Sequence, residues 1–289
     1  MSSLYPFASH EFDRNGLRLH YLDEGAGAPV VMLHGNPTWS FYYRELVRAL
    51  RNSHRCIAPD HLGMGLSDKP GDSSYSYCLQ SRVDDLEALL DHLQLTENLT
   101  LVVHDWGGMI GLAYASRQLD RVKRLIVLNT ACGLLPPAKR FPWQLWLTRT
   151  PLGALLVRGA NAFVVGTARI GTKRGMTREV RAAYVAPYDS WANRIATLRF
   201  VQDIPLRPGD PSYALVDEVQ RGLARFAEMP TLICWGEQDI VFDHYFLSQW
   251  REAFPHAKVH TFADAGHYVL EDAHERIVPL VREFLERTR

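Results

Sequence analysis

A carboxylate at a predicted strand-to-helix turn is the feature of this sequence best suited to covalent chemistry. Residues 99–104 are rich in Leu and Val, which is typical of a strand buried on both faces, and Asp105 follows them directly. Gly107 and Gly108 then lead into an apolar segment with helical periodicity, so Asp105 would lie at the tight turn. A carboxylate held there can attack carbon and form an ester that a later step resolves. On this segment alone, the alternative is that Asp105 only caps the next helix.

Two further residues complete a candidate triad with Asp105. Asp239 and His267 each lie in the loop after a late predicted strand, so the chain order is nucleophile, acid, base. In such a triad the histidine acts as the base, and the second acid orients it through the other ring nitrogen. Glu237 and Asn129 occupy rival positions for the acid, but Asn129 cannot carry a charge, and we favour Asp239.

Over nearly its whole length the chain resembles the haloalkane-dehalogenase-like group of α/β-hydrolases. The likeness rests on the loop at residues 34–37 (HGNP), the turn at residues 105–108 (DWGG), Asp239 and His267. An aspartate at the turn, where esterases carry serine, followed directly by tryptophan, is a specific signature of this group. The resemblance therefore implies an aspartate nucleophile rather than a serine.

The resemblance also implies that Asn36 and Trp106 form the small site that holds the leaving anion. Both side chains can donate a hydrogen bond, and donors fixed near a charge that grows in the transition state lower the barrier. The N-terminus of the following helix is expected to keep Asp105 ionised. One departure from the group is Val103, which stands two residues before the nucleophile, where a small residue is usual.

Three finer segments resemble one subgroup, the bacterial β-lactone (cis-3-alkyl-4-alkyloxetan-2-one) decarboxylases of olefin biosynthesis, which are similar to subfamily III haloalkane dehalogenases. The segments are residues 103–108 (VHDWGG), 190–194 (SWANR) and 200–210 (FVQDIPLRPGD). This resemblance implies decarboxylation of a β-lactone to a long-chain cis-olefin and CO2. The main alternative is a haloalkane dehalogenase, which hydrolyses a haloalkane to an alcohol and a halide through an alkyl-aspartate ester.

Epoxide hydrolases and non-catalytic binding proteins of the same fold match the sequence less well. Epoxide hydrolases share the aspartate nucleophile, but they usually carry an aromatic residue or glycine where this chain has Asn36, and they need cap tyrosines. Non-catalytic binding proteins of this fold typically carry serine where this chain has Asp105.

The elements that must position these residues alternate along the chain. Predicted strands and amphipathic helices follow one another up to residue 132, which predicts an α/β fold with a mostly parallel, doubly wound sheet, the α/β-hydrolase fold. Such sheets bind ligands beyond the carboxyl ends of their strands. The strand pattern stops at Gly133 and resumes at Thr231. We therefore predict a core of residues 1–132 and 229–289, with an inserted helical cap at residues 133–228.

The cap is expected to supply an apolar substrate cavity. Its candidate lining residues are Phe141, Trp143, Leu145, Trp146, Leu155, Phe163 and Val164. Part of this set is also expected simply to pack the cap on the core. Between Ala138 and Asp210 the cap carries twelve Lys and Arg against four Asp and Glu. This excess indicates either a solvated surface or a docking face for an acidic partner protein or a membrane surface.

Composition narrows the classes of function. The net charge is zero, which disfavours nucleic acid as a partner. The four cysteines are scattered and the histidines lack metal-ligand spacing, so we predict reduced thiols, no metal and no cofactor. The start lacks a signal-peptide pattern and no apolar run approaches a membrane span, so we expect a cytoplasmic protein without a transmembrane segment. A long-chain apolar substrate would make an assembly with other olefin-biosynthesis enzymes plausible, because such intermediates are insoluble.

Overall fold

One sheet positions the candidate triad, because each of its three residues lies at the end of a strand or in the loop that follows one. The computed structural model describes residues 3–288, and within them eight strands form this sheet. The strands are β1 (His10–Arg14), β2 (Leu17–Glu24), β3 (Pro29–Leu33), β4 (Arg55–Pro59), β5 (Leu99–Asp105), β6 (Val122–Thr130), β7 (Thr231–Gly236) and β8 (Lys258–Phe262). Their order is β1-β2-β4-β3-β5-β6-β7-β8. Strand β2 runs antiparallel to both neighbours and the remaining pairs are parallel.

Helices cover both faces of the sheet. They are α1 (Arg44–Leu50), α2 (Leu79–His92), α3 (Trp106–Arg117), α4 (Trp143–Thr148), α5 (Pro151–Ala160), α6 (Ala162–Ile170), α7 (Arg178–Val185), α8 (Ile195–Gln202), α9 (Tyr213–Arg221), α10 (His244–Ala253) and α11 (Val269–Arg287). Side chains of α1 and α11 pack on one face, and those of α2, α3 and α10 on the other. The predicted α/β fold with a mostly parallel, doubly wound sheet is confirmed.

The apolar run of β5 is continuous because both of its faces are covered. Leu101 and Val103 pack in the cluster on the α2 and α3 side, whereas Val102 packs in the cluster on the α1 and α11 side. All three side chains are fully buried, and burying each one contributes about 1.5–3 kcal/mol. The buried central strand therefore fixes the position of Asp105 at its end.

Helix α11 differs from its prediction. The amphipathic pattern predicts a helix from Glu275 to Arg287, but α11 begins at Val269. Ala273 leaves the helical region, with φ −144° and ψ 18°, so two helical segments meet at a kink there. The first segment lacks the regular apolar spacing of the second, so the sequence pattern does not reveal its start.

The chain between β6 and β7 contains α4 to α9 and, within residues 131–230, no strand. This segment overlaps the predicted cap, whose exact boundaries remain a prediction. Among the described residues no single helix has the length and apolar composition needed to cross a membrane, although the bent pair α5 and α6, which meet at 77°, passes that test together.

A buried ion pair ties the segment after α8 to the core. The Arg82 guanidinium on α2 is fully buried and donates to Asp203 Oδ2 at 2.9 Å. Asp203 also accepts from the Ser212 hydroxyl at 2.7 Å. The guanidinium carbon lies 3.7 Å from the ring centre of Phe200 and 5.2 Å from that of Trp106. Because Trp106 follows Asp105 directly, this ion pair packs next to the turn that carries the candidate site.

We expect Arg82→Met to lower the free energy of unfolding by about 3–5 kcal/mol, because it leaves the buried Asp203 carboxylate without its partner. Urea denaturation measures this change. The matched control is Arg121→Met, which removes an ion pair to the exposed Asp91 and should cost at most about 1 kcal/mol. Equal costs for the two variants would contradict the importance of the buried pair.

Candidate active site

Asp105 ends β5 in a backbone conformation that only a constrained turn provides. Its φ is 50° and its ψ is −124°, in the left-handed half of φ space. The next residue, Trp106, begins α3. A Cβ on Gly107 would overlap the carbonyl oxygen of Leu33 on the neighbouring strand, so only glycine fits there. The turn therefore presents the Asp105 carboxylate above the carboxyl edge of the sheet, as a nucleophile elbow does.

The unusual Val103 has a local explanation. A side chain at Gly111 on α3 would meet Val103 Cγ1 at 2.8 Å. Because Gly111 has none, the helix can pack close to the strand despite the larger valine two residues before the turn. The departure at residue 103 is thus accommodated on α3 and leaves the turn intact.

The two carboxylate oxygens of Asp105 have different surroundings. The backbone N–H of Asn36 donates to Oδ1 at 2.6 Å, and the backbone N–H of Trp106 also supports the carboxylate. The other oxygen, Oδ2, lies 3.8 Å from His267 Nε2. The Asn36 backbone therefore holds Oδ1, and Oδ2 is the oxygen that faces His267.

Burial raises the pKa of Asp105 above its ordinary value of 3.8, although His267 and the backbone N–H groups of Asn36 and Trp106 oppose the rise. The backbone N–H at the start of the helix favours the ionised form, as expected, but desolvation of the charge is the larger effect and sets the direction of the shift. Raising the pKa of a carboxylate also raises its nucleophilicity once it is ionised.

His267 is oriented by Asp239. The His267 Nδ1 donates to Asp239 Oδ2 at 2.8 Å, which leaves Nε2 facing Asp105. Asp239 also accepts from Asn129 Nδ2 at 3.1 Å and from the Val241 backbone at 2.8 Å. Although burial lowers the pKa of His267, the charges of Asp239 and Asp105 outweigh it and raise the pKa above 6.5. His267 therefore holds its second ring proton more tightly than an isolated histidine does.

The rival acids take other positions. Glu237 is exposed, whereas Asn129 supports Asp239 through its amide. The structure thus brings Asp105, His267 and Asp239 together as the sequence predicts, while their catalytic roles remain proposals.

Asn36 and Trp106 both border the cavity above Asp105. One proton of the Asn36 amide is donated to the Thr197 carbonyl at 3.0 Å, and the second remains for a ligand. The Trp106 indole N–H makes no hydrogen bond to any residue between 3 and 288. Two donors next to the carboxylate can therefore stabilise an anion that develops there.

The cavity has a volume of about 350 Å³ and reaches from Asp105 and His267 into the cap. Phe141, Leu145 and Phe163 line it as predicted. Most other lining side chains are also aliphatic or aromatic, including Leu134, Leu156, Val157, Val201, Ile204 and Phe242. A site of this size and polarity is suited to an alkyl substrate.

The structure corrects the prediction for Trp143 and Trp146. Their side chains are 71% and 53% exposed, and neither lines the cavity. Both lie on the outer face of α4, whereas Leu145 points inward. Leu155 is likewise exposed, and Val164 is buried in the core rather than in the cavity lining.

Within residues 3–288 no group of three or more His, Cys, Asp or Glu side chains is arranged to hold a metal ion.

Comparison with known proteins identifies the family to which the chain belongs. The model of the α/β-hydrolase fold family matches residues 28–274, which include the turn and the whole triad. The chain belongs to the α/β-hydrolase family. Two relatives are named cis-3-alkyl-4-alkyloxetan-2-one decarboxylase. The one from Shewanella oneidensis is 58% identical over 100% of this chain and 91% of its own length. The one from Xanthomonas campestris is 52% identical over 98% and 97%.

Haloalkane dehalogenases are more distant members of the same α/β-hydrolase family. A haloalkane dehalogenase from Mycolicibacterium paratuberculosis is 36% identical over 93% of this chain and 89% of its own length. Among solved structures, the haloalkane dehalogenase DatA from Agrobacterium tumefaciens superposes with a TM-score of 0.89 at 26% identity and covers 100% of both chains. DbeA from Bradyrhizobium elkani superposes with a TM-score of 0.89 at 27% identity and 98% coverage of both chains.

This α/β-hydrolase also uses residues that sequence reasoning missed. His104 Nε2 donates to the His267 carbonyl at 2.9 Å, so the residue before Asp105 holds the backbone of His267 in place. Tyr42 stacks on His104 at 4.3 Å between ring centres. Burial holds the pKa of His104 well below its usual value, which keeps the ring neutral. A histidine inside an apolar strand was the available signal for its role.

The raised pKa of Asp105 predicts the acid side of the pH–rate profile. A nucleophilic carboxylate must be ionised, so kcat/KM should fall as pH drops through the raised pKa, by about tenfold per pH unit below it. The midpoint should lie above the 3.8 of an ordinary aspartate. Circular dichroism at each pH serves as the control for unfolding. A profile that stays flat down to the ordinary aspartate range would contradict this assignment.

Proposed function

We propose that this α/β-hydrolase is a cis-3-alkyl-4-alkyloxetan-2-one decarboxylase, which converts a β-lactone into a long-chain cis-olefin and CO2. The observation that carries this conclusion is the 58% identity to the Shewanella oneidensis decarboxylase across the whole chain. The dehalogenase from Mycolicibacterium paratuberculosis reaches only 36%. The apolar cavity that ends at Asp105 supports a dialkyl substrate.

The first chemical step is attack by Asp105 Oδ2 on the ring carbon that carries the lactone oxygen. A new C–O bond to Asp105 forms while the ring C–O bond breaks, and its electron pair leaves with the oxygen as a carboxylate. The Trp106 indole N–H and the Asn36 amide N–H are the proposed donors to this developing anion, because both border the cavity beside Asp105.

The second step releases CO2. The bond between the carboxylate carbon and its neighbour breaks, its electron pair forms the double bond, and Asp105 departs as a carboxylate. No water or net proton is consumed. The His267 ring faces Asp105 at 3.8 Å and its pKa is raised, so we assign the imidazolium to stabilising the departing carboxylate.

Haloalkane dehalogenase is the second candidate, because the same two donors and the same triad would serve a halide leaving group. In that reaction His267 would act as a base that activates water. Epoxide hydrolysis is less favoured, since no tyrosine among residues 3–288 lines the cavity. A non-catalytic binding role leaves the alignment of Asp105, His267 and Asp239 without a purpose.

The test is a side-by-side assay of the purified protein with a cis-dialkyl β-lactone and with an iodoalkane of similar chain length. Alkene is measured by gas chromatography and iodide by a halide assay. We expect alkene from the lactone at a rate well above iodide release. Iodide turnover without alkene would overturn the proposal and favour the dehalogenase.

Two finer proposals concern the cellular setting. We propose a role in olefin biosynthesis in an assembly with other enzymes of that route, because the substrate and product are poorly soluble in water. We also propose a cytoplasmic location. Cys56, Cys132 and Cys234 are buried free thiols whose pKa is raised by burial to about 12, which suits a reducing compartment.

A further inference from the structure

Exposed apolar side chains are concentrated on one part of the cap. Ten large apolar residues are exposed within residues 3–288, and eight of them lie between residues 143 and 191. We call these eight the apolar face: Trp143, Trp146, Leu147, Leu152, Leu155, Leu156, Ile170 and Trp191. Seven of the eight lie on α4, α5 and α6, and each of these helices contacts the next. Exposed apolar surface on adjoining helices marks an interaction site rather than an ordinary solvated surface.

The helices of the apolar face present their apolar stripe outward. On α5 the exposed residues Leu152, Leu155 and Leu156 follow the spacing of one helix face. On α4, residues 143, 146 and 147 repeat the same spacing. A helix of a water-soluble core normally turns such a stripe inward, so these two helices are built for an apolar neighbour outside the fold.

The apolar face continues into the cavity. Leu147, Leu156 and Ile170 are exposed and also line the cavity that reaches Asp105. An apolar molecule on the apolar face could therefore move to the nucleophile without crossing water. This continuity favours a neighbour that itself contains the substrate.

Basic side chains lie close in sequence to the residues of the apolar face. Arg140, Arg169, Lys173 and Arg178 are exposed, and none forms an ion pair with another residue in the 3–288 range. The Arg158 guanidinium stacks on the Trp191 ring at 4.6 Å. Tryptophan, leucine and unpaired cations together are the composition of a surface that rests on an anionic lipid bilayer.

We propose that the apolar face binds the surface of an anionic phospholipid bilayer, so that the cavity opens toward lipid and takes its apolar substrate from it. The substrate class rests on the proposed function. Trp143 and Trp146 enter the boundary between headgroups and acyl chains, while the exposed arginines and lysines contact lipid phosphates. An acidic partner protein would match the cations but would leave the exposed tryptophans and leucines unexplained.

The test is cosedimentation of the full-length protein with vesicles of phosphatidylcholine, with and without phosphatidylglycerol. We expect binding to the anionic vesicles that weakens at high salt, and Trp143→Ser/Trp146→Ser should lower the affinity at least about tenfold. The matched control is Tyr245→Ser, which removes an exposed aromatic residue outside the apolar face and should bind like the wild type.

Failure of wild-type binding, or equal binding by the tryptophan variant, would overturn the proposal. Salt-sensitive retention on immobilised polyglutamate without vesicle binding would also overturn it, and would assign the surface to an acidic protein.

Turnover of a short-chain, water-dispersed β-lactone without lipid separates the proposed lipid-binding surface from the proposed function. The tryptophan variant should keep that turnover. If the protein forms alkene but does not bind vesicles, only the proposal of a lipid-binding surface is wrong. If it binds vesicles but forms no alkene, only the proposed function is wrong.

Discussion

Replacing Asp105 by alanine is expected to abolish alkene formation from a cis-β-lactone, with kcat/KM lower by about 10⁴-fold or more. The variant loses the only carboxylate oxygen in the described cavity that is placed to attack, Oδ2, whereas Asp239 is turned toward His267. Steady-state kinetics with gas-chromatographic detection of alkene measures the loss.

The control for this variant is Asp105→Asn, which keeps the shape and the backbone hydrogen bonds of the side chain but removes its charge. Burial raises the pKa of Asp105, which means that the fold disfavours the charged form of this side chain. The neutral asparagine should therefore leave the protein as stable as the wild type or more stable. Activity within tenfold of the wild type in both folded variants would show that Asp105 is not the nucleophile.

The second large effect is expected at His267. His267→Ala should lower kcat for the lactone by about 10²–10⁴-fold, because the ring that faces Asp105 and stabilises its carboxylate is lost. It should also block hydrolysis of an alkyl ester at Asp105, since no other base faces that position in the described structure. Exposure of this variant to an iodoalkane should therefore leave one alkyl group on the protein, seen by intact mass spectrometry.

The matched control is the double variant His267→Ala/Asp105→Ala, which should gain no mass. Absence of an adduct in His267→Ala, or an adduct that persists in the double variant, would mean that Asp105 is not alkylated. Peptide mapping of the modified protein places the group on one residue and completes the test.

The fold and the triad were predictable because their signals are local and periodic. The apolar run before Asp105 reveals a buried strand, and the order of Asp105, Asp239 and His267 matches a sheet whose strands end at one edge. The structure adds the geometry, with Asp239 Oδ2 bound to His267 Nδ1 at 2.8 Å. Spacing along the chain cannot give such a distance, since the two residues lie on separate loops.

The cap was less predictable because its helices are short and their orientation is set by tertiary packing. Phe141 and Trp143 stand two residues apart, yet the first lines the cavity and the second is exposed. Aromatic composition alone does not distinguish these positions. The role of His104 also depends on a contact with residue 267 that no local pattern encodes.

Local sequence patterns also do not distinguish between the two candidate substrates. Asn36 and Trp106 predict an anionic leaving group, but a halide and a lactone carboxylate place similar demands on two hydrogen-bond donors. The identity to the decarboxylases, 58% and 52%, favours the lactone, and the raised pKa of His267 is compatible with a reaction that needs no base for water.

The most direct measurement uses a cis-β-lactone whose ring oxygen carries a heavy isotope. Attack by Asp105 on the ring carbon keeps both lactone oxygens on the departing carboxylate. The wild type should therefore release alkene and CO2 in equal amounts, with the label in the CO2, and Asp105→Ala should release neither. Formation of a β-hydroxy acid that keeps the label in its hydroxyl group, without alkene, would contradict the account.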